Sequence, residues 1–200
     1  MDQYVIFAPV LRSERLTMTL YDAKDDSQFI AELWNTVAGS VPPWTHELLC
    51  RFMKNTTLSP QNCLGLKPSH PSVYIIHLGS ETGPSIGHIN LSERHPDIPP
   101  DIGYAILPVY RRQGYAFEAA ACVLSYWHHS LGLKAIVGFC HPANTISNKL
   151  IQKLGFIRGG QATVEEGNIL VNAYVLPGMS VSSMTKETTR FGRMGTDKAE

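Results

Sequence analysis

The sequence predicts a mixed α/β (α+β) domain: a mostly antiparallel sheet with helices packed on it. Three observations predict it. Residues 102–107, 114–130 and 135–140 read as strand, helix and strand, and a strand–crossover–strand unit implies parallel pairing with a right-handed connection. Two hairpins flank that unit, one across Gly79 to Pro84 and one across Glu165-Glu-Gly-Asn168, and hairpins pair antiparallel. Leu16, Met18 and Leu20 alternate with Thr17, Thr19 and Tyr21, the period of a half-buried strand.

Taken in order, that first strand is followed by Asp25-Asp26-Ser27, which offer N-caps, and by Phe29, Ile30, Leu33 and Val37 at helical spacing. Pro42-Pro43 ends the helix. A second helix starts near Thr45 with Leu48, Leu49, Phe52 and Met53 on one side. Residues 58–72 hold three prolines and a glycine and read as a loop. Strands follow at 73–78 and 86–91, then an irregular stretch at 92–100. The strand 102–107 is closed by Pro108. The helix 114–130 carries Phe117, Ala120, Ala121, Leu124 and Trp127 as its expected apolar stripe and stops at Gly132. Asn144 opens a further helix with Ile146, Leu150, Ile151 and Leu154 inside, ended by Gly155. Residues 156–164 and 168–176 form the last hairpin. One domain over 1–176 is expected, with 177–200, rich in Ser, Thr, Gly and charge, as a mobile tail.

Composition excludes several functions. Seventeen basic residues balance seventeen acidic ones among 200. Nucleic acid and anionic membranes demand an excess of positive charge, so neither is an expected partner. No apolar run approaches the roughly 20 residues of a membrane helix. Met1-Asp2-Gln3 carries an acid where a signal peptide needs a basic segment. The four cysteines, at 50, 63, 122 and 140, lack C-x-x-C spacing, so they read as reduced thiols in a cytoplasmic protein rather than metal ligands. The paired His128-His129 diverge on a helix, and Cys140-His141 ends a strand; neither has ligand spacing, and no metal is expected.

The segment Pro108-Val-Tyr-Arg-Arg-Gln-Gly-Tyr-Ala116 joins strand to helix. A helix start leaves unpaired N–H groups and a partial positive charge. Gly114 and the small Ala116 let a ligand approach the backbone, and Arg111 and Arg112 add full charges. Together these suit a diphosphate; a plain turn with solvated arginines would carry the same pattern. There is neither the G-K-[ST] of a Walker loop nor a G-x-G-x-x-G.

Arg111-Arg-Gln-Gly-Tyr-Ala116 resembles the Q/R-x-x-G-x-G/A acetyl-CoA motif of the GNAT superfamily of acetyltransferases. The stretches Asp101-Ile-Gly-Tyr-Ala-Ile-Leu-Pro108, Gly114-Tyr-Ala-Phe-Glu-Ala119, Asn144-Thr-Ile-Ser-Asn-Lys-Leu-Ile-Gln-Lys-Leu-Gly-Phe156 and Arg12-Ser-Glu-Arg-Leu16 are similar to the branch containing the ribosomal-protein N-acetyltransferases, over roughly residues 10–176. The resemblance implies helices on both faces of the sheet and a V-shaped split between strands 102–107 and 135–140. It implies acetyl-CoA as cosubstrate, with the diphosphate held by Arg111, Arg112, Gln113, Gly114, Tyr115 and Ala116, and the pantetheine arm by main-chain groups of Ile106 and Leu107 and by Asn144. Glu118 reads as a structural residue that compensates the helix dipole.

The implied reaction is acetyl transfer to a primary amine by direct attack in a ternary complex. Asn144 is a helix N-cap worth about 1 kcal/mol, a role compatible with contacting the cofactor. Ser147 faces inward with Leu150, Ile151 and Leu154. It either bonds locally to the backbone or, as the branch implies, donates to the leaving thiolate. Many members use a Tyr four residues later, where this chain has Ile151. Glu166, with Glu165, occupies the hairpin turn where the branch places a water-positioning carboxylate; His88, Glu93 and Tyr104 are alternative bases. Cys140 is explained by its apolar strand, which argues against an acetyl-cysteine intermediate. The alternative function is a non-catalytic acyl-CoA-binding module. A protein N-terminus and a small-molecule amine both stay open as acceptor, as do monomer and homodimer.

Overall fold

Alternation along the strands sorts side chains onto two faces, and the sheet is built around that division. The computed structural model describes residues 4–37, 46–63, 65–94, 98–133, 135–164, 169–177 and 190–191. Its strands are β1 (Tyr4–Val5), β2 (Val10–Arg12), β3 (Leu16–Leu20), β4 (Lys67–Pro68), β5 (Val73–Leu78), β6 (Ser85–Ser92), β7 (Asp101–Ile106), β8 (Val137–Cys140), β9 (Ile157–Val164), β10 (Ile169–Val175) and β11 (Arg190–Phe191). Its helices are α1 (Ala23–Val37), α2 (His46–Asn55), α3 (Tyr115–Ser130) and α4 (Thr145–Lys153). The main sheet runs β11-β9-β10-β8-β7-β6-β5-β3-β2, and β1 pairs separately with β4. Every neighbouring pair of the main sheet is antiparallel except β7/β8 and β11/β9. Of the tail 177–200, Pro177 and the strand β11 are described, and the rest lies outside the described residues.

The parallel pair β7/β8 sits at the middle of the sheet and barely pairs. Its register holds at one position, Asp101 opposite Val137, beside a bond from the Val137 N–H to the Pro100 carbonyl at 3.0 Å. Beyond that contact the strands part toward their C-terminal ends, which is the V-shaped split the resemblance implies. The base is fastened by the buried Asp101 carboxylate, which accepts from Arg94 Nε at 2.6 Å and Nη2 at 3.0 Å.

On one face, Leu16, Met18, Tyr74, Ile76, Ile89 and Leu91 pack against α3 and against Ile151 of α4. On the other, Val73 and Ile75 pack against Ile30 of α1 and Leu49, Phe52 and Met53 of α2. The Leu48 side chain lies outside the described residues. Gly138 sets the height of α4, since a Cβ there would lie 1.9 Å from Ile151 Cδ1.

Four expectations are corrected. The α3 stripe is rotated: Ala119, Ala120, Val123 and Trp127 are buried, Ala121 is exposed, and Phe117 and Leu124 are half-buried. Alanines at 119 and 120 let the helix approach the sheet closely, and α3 is apolar on so many sides that its periodicity does not define a phase. Ile146 is not inside but 61% exposed. The strand expected at 135–140 starts only at Val137, and the loop expected at 58–72 contains a 3-10 turn (Pro60–Asn62) and β4.

Candidate active site

The connection after β7 is shaped residue by residue. Pro108 starts a 3-10 turn over Pro108–Tyr110, closed by bonds from Tyr110 N–H to Leu107 O (3.0 Å) and from Arg111 N–H to Pro108 O (3.2 Å). The chain then takes two left-handed residues, Arg112 at φ 61° and Gly114 at φ 87°. A side chain at a left-handed position costs about 1–2 kcal/mol, which favours glycine at 114. Gly114 caps α3 without a side chain, and the first helical bond runs from Glu118 N–H to the Gly114 carbonyl at 3.0 Å. Tyr115, Ala116 and Phe117 therefore have no intrahelical acceptor. Among the described residues no acceptor meets the N–H groups of Arg112, Gln113 or Gly114 either. This row of bare donors lies at the positive end of the α3 dipole, next to the exposed Arg111 and Arg112, and fits an anion with several oxygens.

The loop forms one end of a cleft of about 820 Å³. The cleft runs along the end of β7 at Tyr104, Ala105 and Ile106, reaches Asn144, Ser147 and Leu150 at the start of α4, and extends to Trp34 and Val37 of α1. At the α4 end the polar groups bind one another. Asn144 Oδ1 accepts from the Ser147 N–H at 3.1 Å. Asn148, buried one residue on, donates to the carbonyls of Asn144 (2.6 Å) and His141 (2.9 Å). Its own Oδ1 accepts from Asn172 Nδ2 (2.8 Å) and Tyr174 OH (2.6 Å). All four capacities of the Asn148 amide are filled, which ties the start of α4 to β10. The Tyr104 hydroxyl donates to the Ser147 carbonyl at 3.3 Å. Ser147 is half-buried and borders the cleft, with its hydroxyl beside that of Tyr104.

The residues expected in the site are brought together unevenly. Ile106, Arg111, Arg112, Gly114, Tyr115, Ala116, Asn144 and Ser147 border the one cleft. Leu107 and Gln113 do not: the Leu107 N–H is spent on Ile86 O at 2.9 Å across β6, and the Gln113 side chain donates to Val109 O at 3.3 Å. The Ile106 carbonyl accepts from Arg111 Nε at 3.0 Å. Glu165 and Glu166 lie outside the described residues. Of the alternative bases, Glu93 accepts from the Ser59 N–H (2.7 Å) and Asn62 Nδ2 (3.1 Å), away from the cleft. His88 is fully buried between Trp34 (5.3 Å) and Phe52 (5.9 Å), with neither ring nitrogen hydrogen-bonded among the described residues, and burial pushes its pKa down to about 3. Burial also drives the Tyr104 phenol well above its ordinary value. Burial first, then Asp101, push the Cys140 thiol up to about 11.

Among the described residues no three His, Cys, Asp or Glu converge as metal ligands, and no helix is long and apolar enough to cross a membrane. Sequence reasoning missed three contributors: Asn148, Trp34 and Arg15. Arg15 lies in the Arg12-Ser-Glu-Arg-Leu16 stretch, and that stretch is the sequence signal for it. Asn148 had a weaker signal, a polar residue at a core-facing helical position.

The model of the GNAT acetyltransferase domain matches residues 15–157. The "Uncharacterized N-acetyltransferase YnaD" of Bacillus subtilis (strain 168) is 33% identical over 85 residues, 42% of this chain and 50% of that one. The chain thus spans about half the length of this curated relative. Among solved structures, the ribosomal-protein-S5-alanine acetyltransferase from Vibrio fischeri aligns over 83% of this chain and 94% of its own, with TM-score 0.61 and 17% identity. RimL, a ribosomal L7/L12 alpha-N-protein acetyltransferase in complex with coenzyme A, aligns over 83% and 96%, with TM-score 0.61 and 14% identity. At such identities these two structures speak for the fold alone. With the motif loop, the split sheet and a family match over most of its length, this chain belongs to the GNAT acetyltransferase family.

Proposed function

We propose that this protein is an acetyl-CoA-dependent N-acetyltransferase that carries an acetyl group to a primary amine by direct attack, both substrates bound together. One observation carries the reading: a single cleft joins the bare amide row that starts α3, the end of β7 where it parts from β8, and Ser147 at the start of α4. The residues present fit acetyl-CoA. Arg111, Arg112 and the N–H groups of Arg112 to Ala116 would hold the diphosphate, and the Ile106 carbonyl and Asn144 the pantetheine arm. When bound, acetyl-CoA supplies an activated acetyl thioester.

The chain's own part is positioning and proton management. Holding two reactants in a productive geometry can lower a barrier by about 7 kcal/mol or more, and the paired cleft ends provide for that. Ser147 Oγ–H is the donor available to a leaving thiolate. None of the described residues weighed as a base is suited to take the amine proton near neutrality: His88 is sealed away and neutral, and Glu93 is bonded elsewhere. The amine then loses its proton to water or to the carboxylate of Glu166. Trp34, Val37 and Ile146 border the cleft beyond the α4 end and would flank the acceptor.

Free-thiol release from acetyl-CoA against a panel of amines, beside a plain binding titration, tests the reading. Thiol release dependent on an amine, with an acetylated amine found by mass, is expected. Binding without release under every amine would make the chain a non-catalytic acyl-CoA-binding module, and no binding would refute both.

A further inference from the structure

Arg15 lies on the turn between β2 and β3, about one hundred residues from the α3 loop, yet its groups are engaged there. Its backbone N–H donates to Glu118 Oε1 at 2.7 Å, and its carbonyl accepts from the Gly79 N–H at 2.8 Å, so the main chain is held from both sides. Its guanidinium pairs with Glu118 Oε2 through Nε (2.8 Å) and Nη2 (2.7 Å). The remaining nitrogen, Nη1, donates to the Gln113 carbonyl at 3.1 Å, and the guanidinium lies 4.7 Å from the Tyr115 ring centroid. Ser13 Oγ adds a bond to Glu118 Oε1 at 2.7 Å. Burial alone would raise the Glu118 pKa, but these donors outweigh it and hold the carboxyl below its usual range.

A trans peptide points its C=O and the following N–H in opposite directions. Pinning the Gln113 carbonyl on Arg15 therefore turns the Gly114 N–H away from Arg15. The same side of Gly114 is marked by its absent Cβ, which would lie 3.3 Å from Arg15 Nη2. Arg15 also neutralises Glu118, which favours the helix start but would repel an anion bound beside it. We propose that Arg15, locked by Glu118, is a positioning residue that aims the Gly114 amide at the diphosphate of the cofactor without touching it. This rests on the reading of the cleft as an acetyl-CoA site.

The test compares wild-type protein with Arg15→Ala and Arg15→Lys. Coenzyme A and S-acetylpantetheine, which lacks the diphosphate, are titrated while the Gly114 amide is followed by NMR. Coenzyme A should shift that amide downfield in the wild type. Arg15→Ala should weaken coenzyme A at least tenfold, halve the Gly114 shift at saturation, and change S-acetylpantetheine binding less than twofold. Arg15→Lys, able to reach Glu118 or Gln113 but not both, should fall between, and it keeps the test open if the alanine variant does not fold. Unchanged coenzyme A affinity with a full Gly114 shift would overturn the proposal. So would equal losses for both ligands, the mark of a merely structural residue. A wild type that binds no coenzyme A would instead refute the cofactor reading on which the proposal stands.

Discussion

Two helices begin beside the same split in the sheet, and they begin in opposite ways. α3 starts at Gly114, left-handed and without a capping side chain, so the donors of its first turn stay open. α4 starts at Asn144, whose side chain accepts from the Ser147 N–H, and the buried Asn148 amide then takes the carbonyls behind it. One end is left unsatisfied toward the cleft; the other is satisfied from within and presents a single hydroxyl. The anion-binding capacity of a helix start is thus not a property of helices alone. It depends on whether the cap residue consumes the donors. Here one end fits the grip on a charged cofactor, and the other the exact placement of a reacting group.

Breaking the open end should have the largest effect. Gly114→Glu puts a side chain and a negative charge into the amide row, and calorimetry should find acetyl-CoA affinity reduced more than a hundredfold. The closed end should fail as structure rather than as binding. Asn148→Ala removes four hydrogen bonds, two of them to the buried Asn172 and Tyr174, each worth about 1 kcal/mol and not additive, so unfolding should show a loss of about 2–3 kcal/mol, several degrees in Tm. The mildest change, Ser147→Ala, removes the hydroxyl and leaves the cap. Turnover should fall about tenfold while acetyl-CoA affinity stays within twofold; equal turnover would remove Ser147 from the chemistry.

The difference between the two ends was also a difference in legibility. The open end is local: Gly114, Ala116 and two arginines stand within six residues, so spacing and helix electrostatics point to it directly. The Asn144 cap is local too. What holds each end in place is not. Arg15 reaches Glu118 across 103 positions, and Asn148 reaches Tyr174 across 26, so neither partnership leaves a periodic trace. The α3 stripe was misphased because a helix this apolar shows no clean boundary, and only its contact with the sheet selects Ala119 and Val123 over Ala121. Helical spacing predicts Ile146 in the core, but α4 is short and its first turn borders the cleft. The split itself cannot be seen in strand patterns, which give each strand's faces but not where two neighbours stop pairing.

The contrast between an open and a self-sealed helix start can be measured directly by amide hydrogen exchange with and without acetyl-CoA. Exchange slows where a donor gains a partner. The amides of Arg112 to Phe117 should be strongly slowed by acetyl-CoA, whereas those of Ser147 and Asn148, already bonded to Asn144, should change little. Protection confined to the α4 start, or none at the α3 start under saturating acetyl-CoA, would contradict the account.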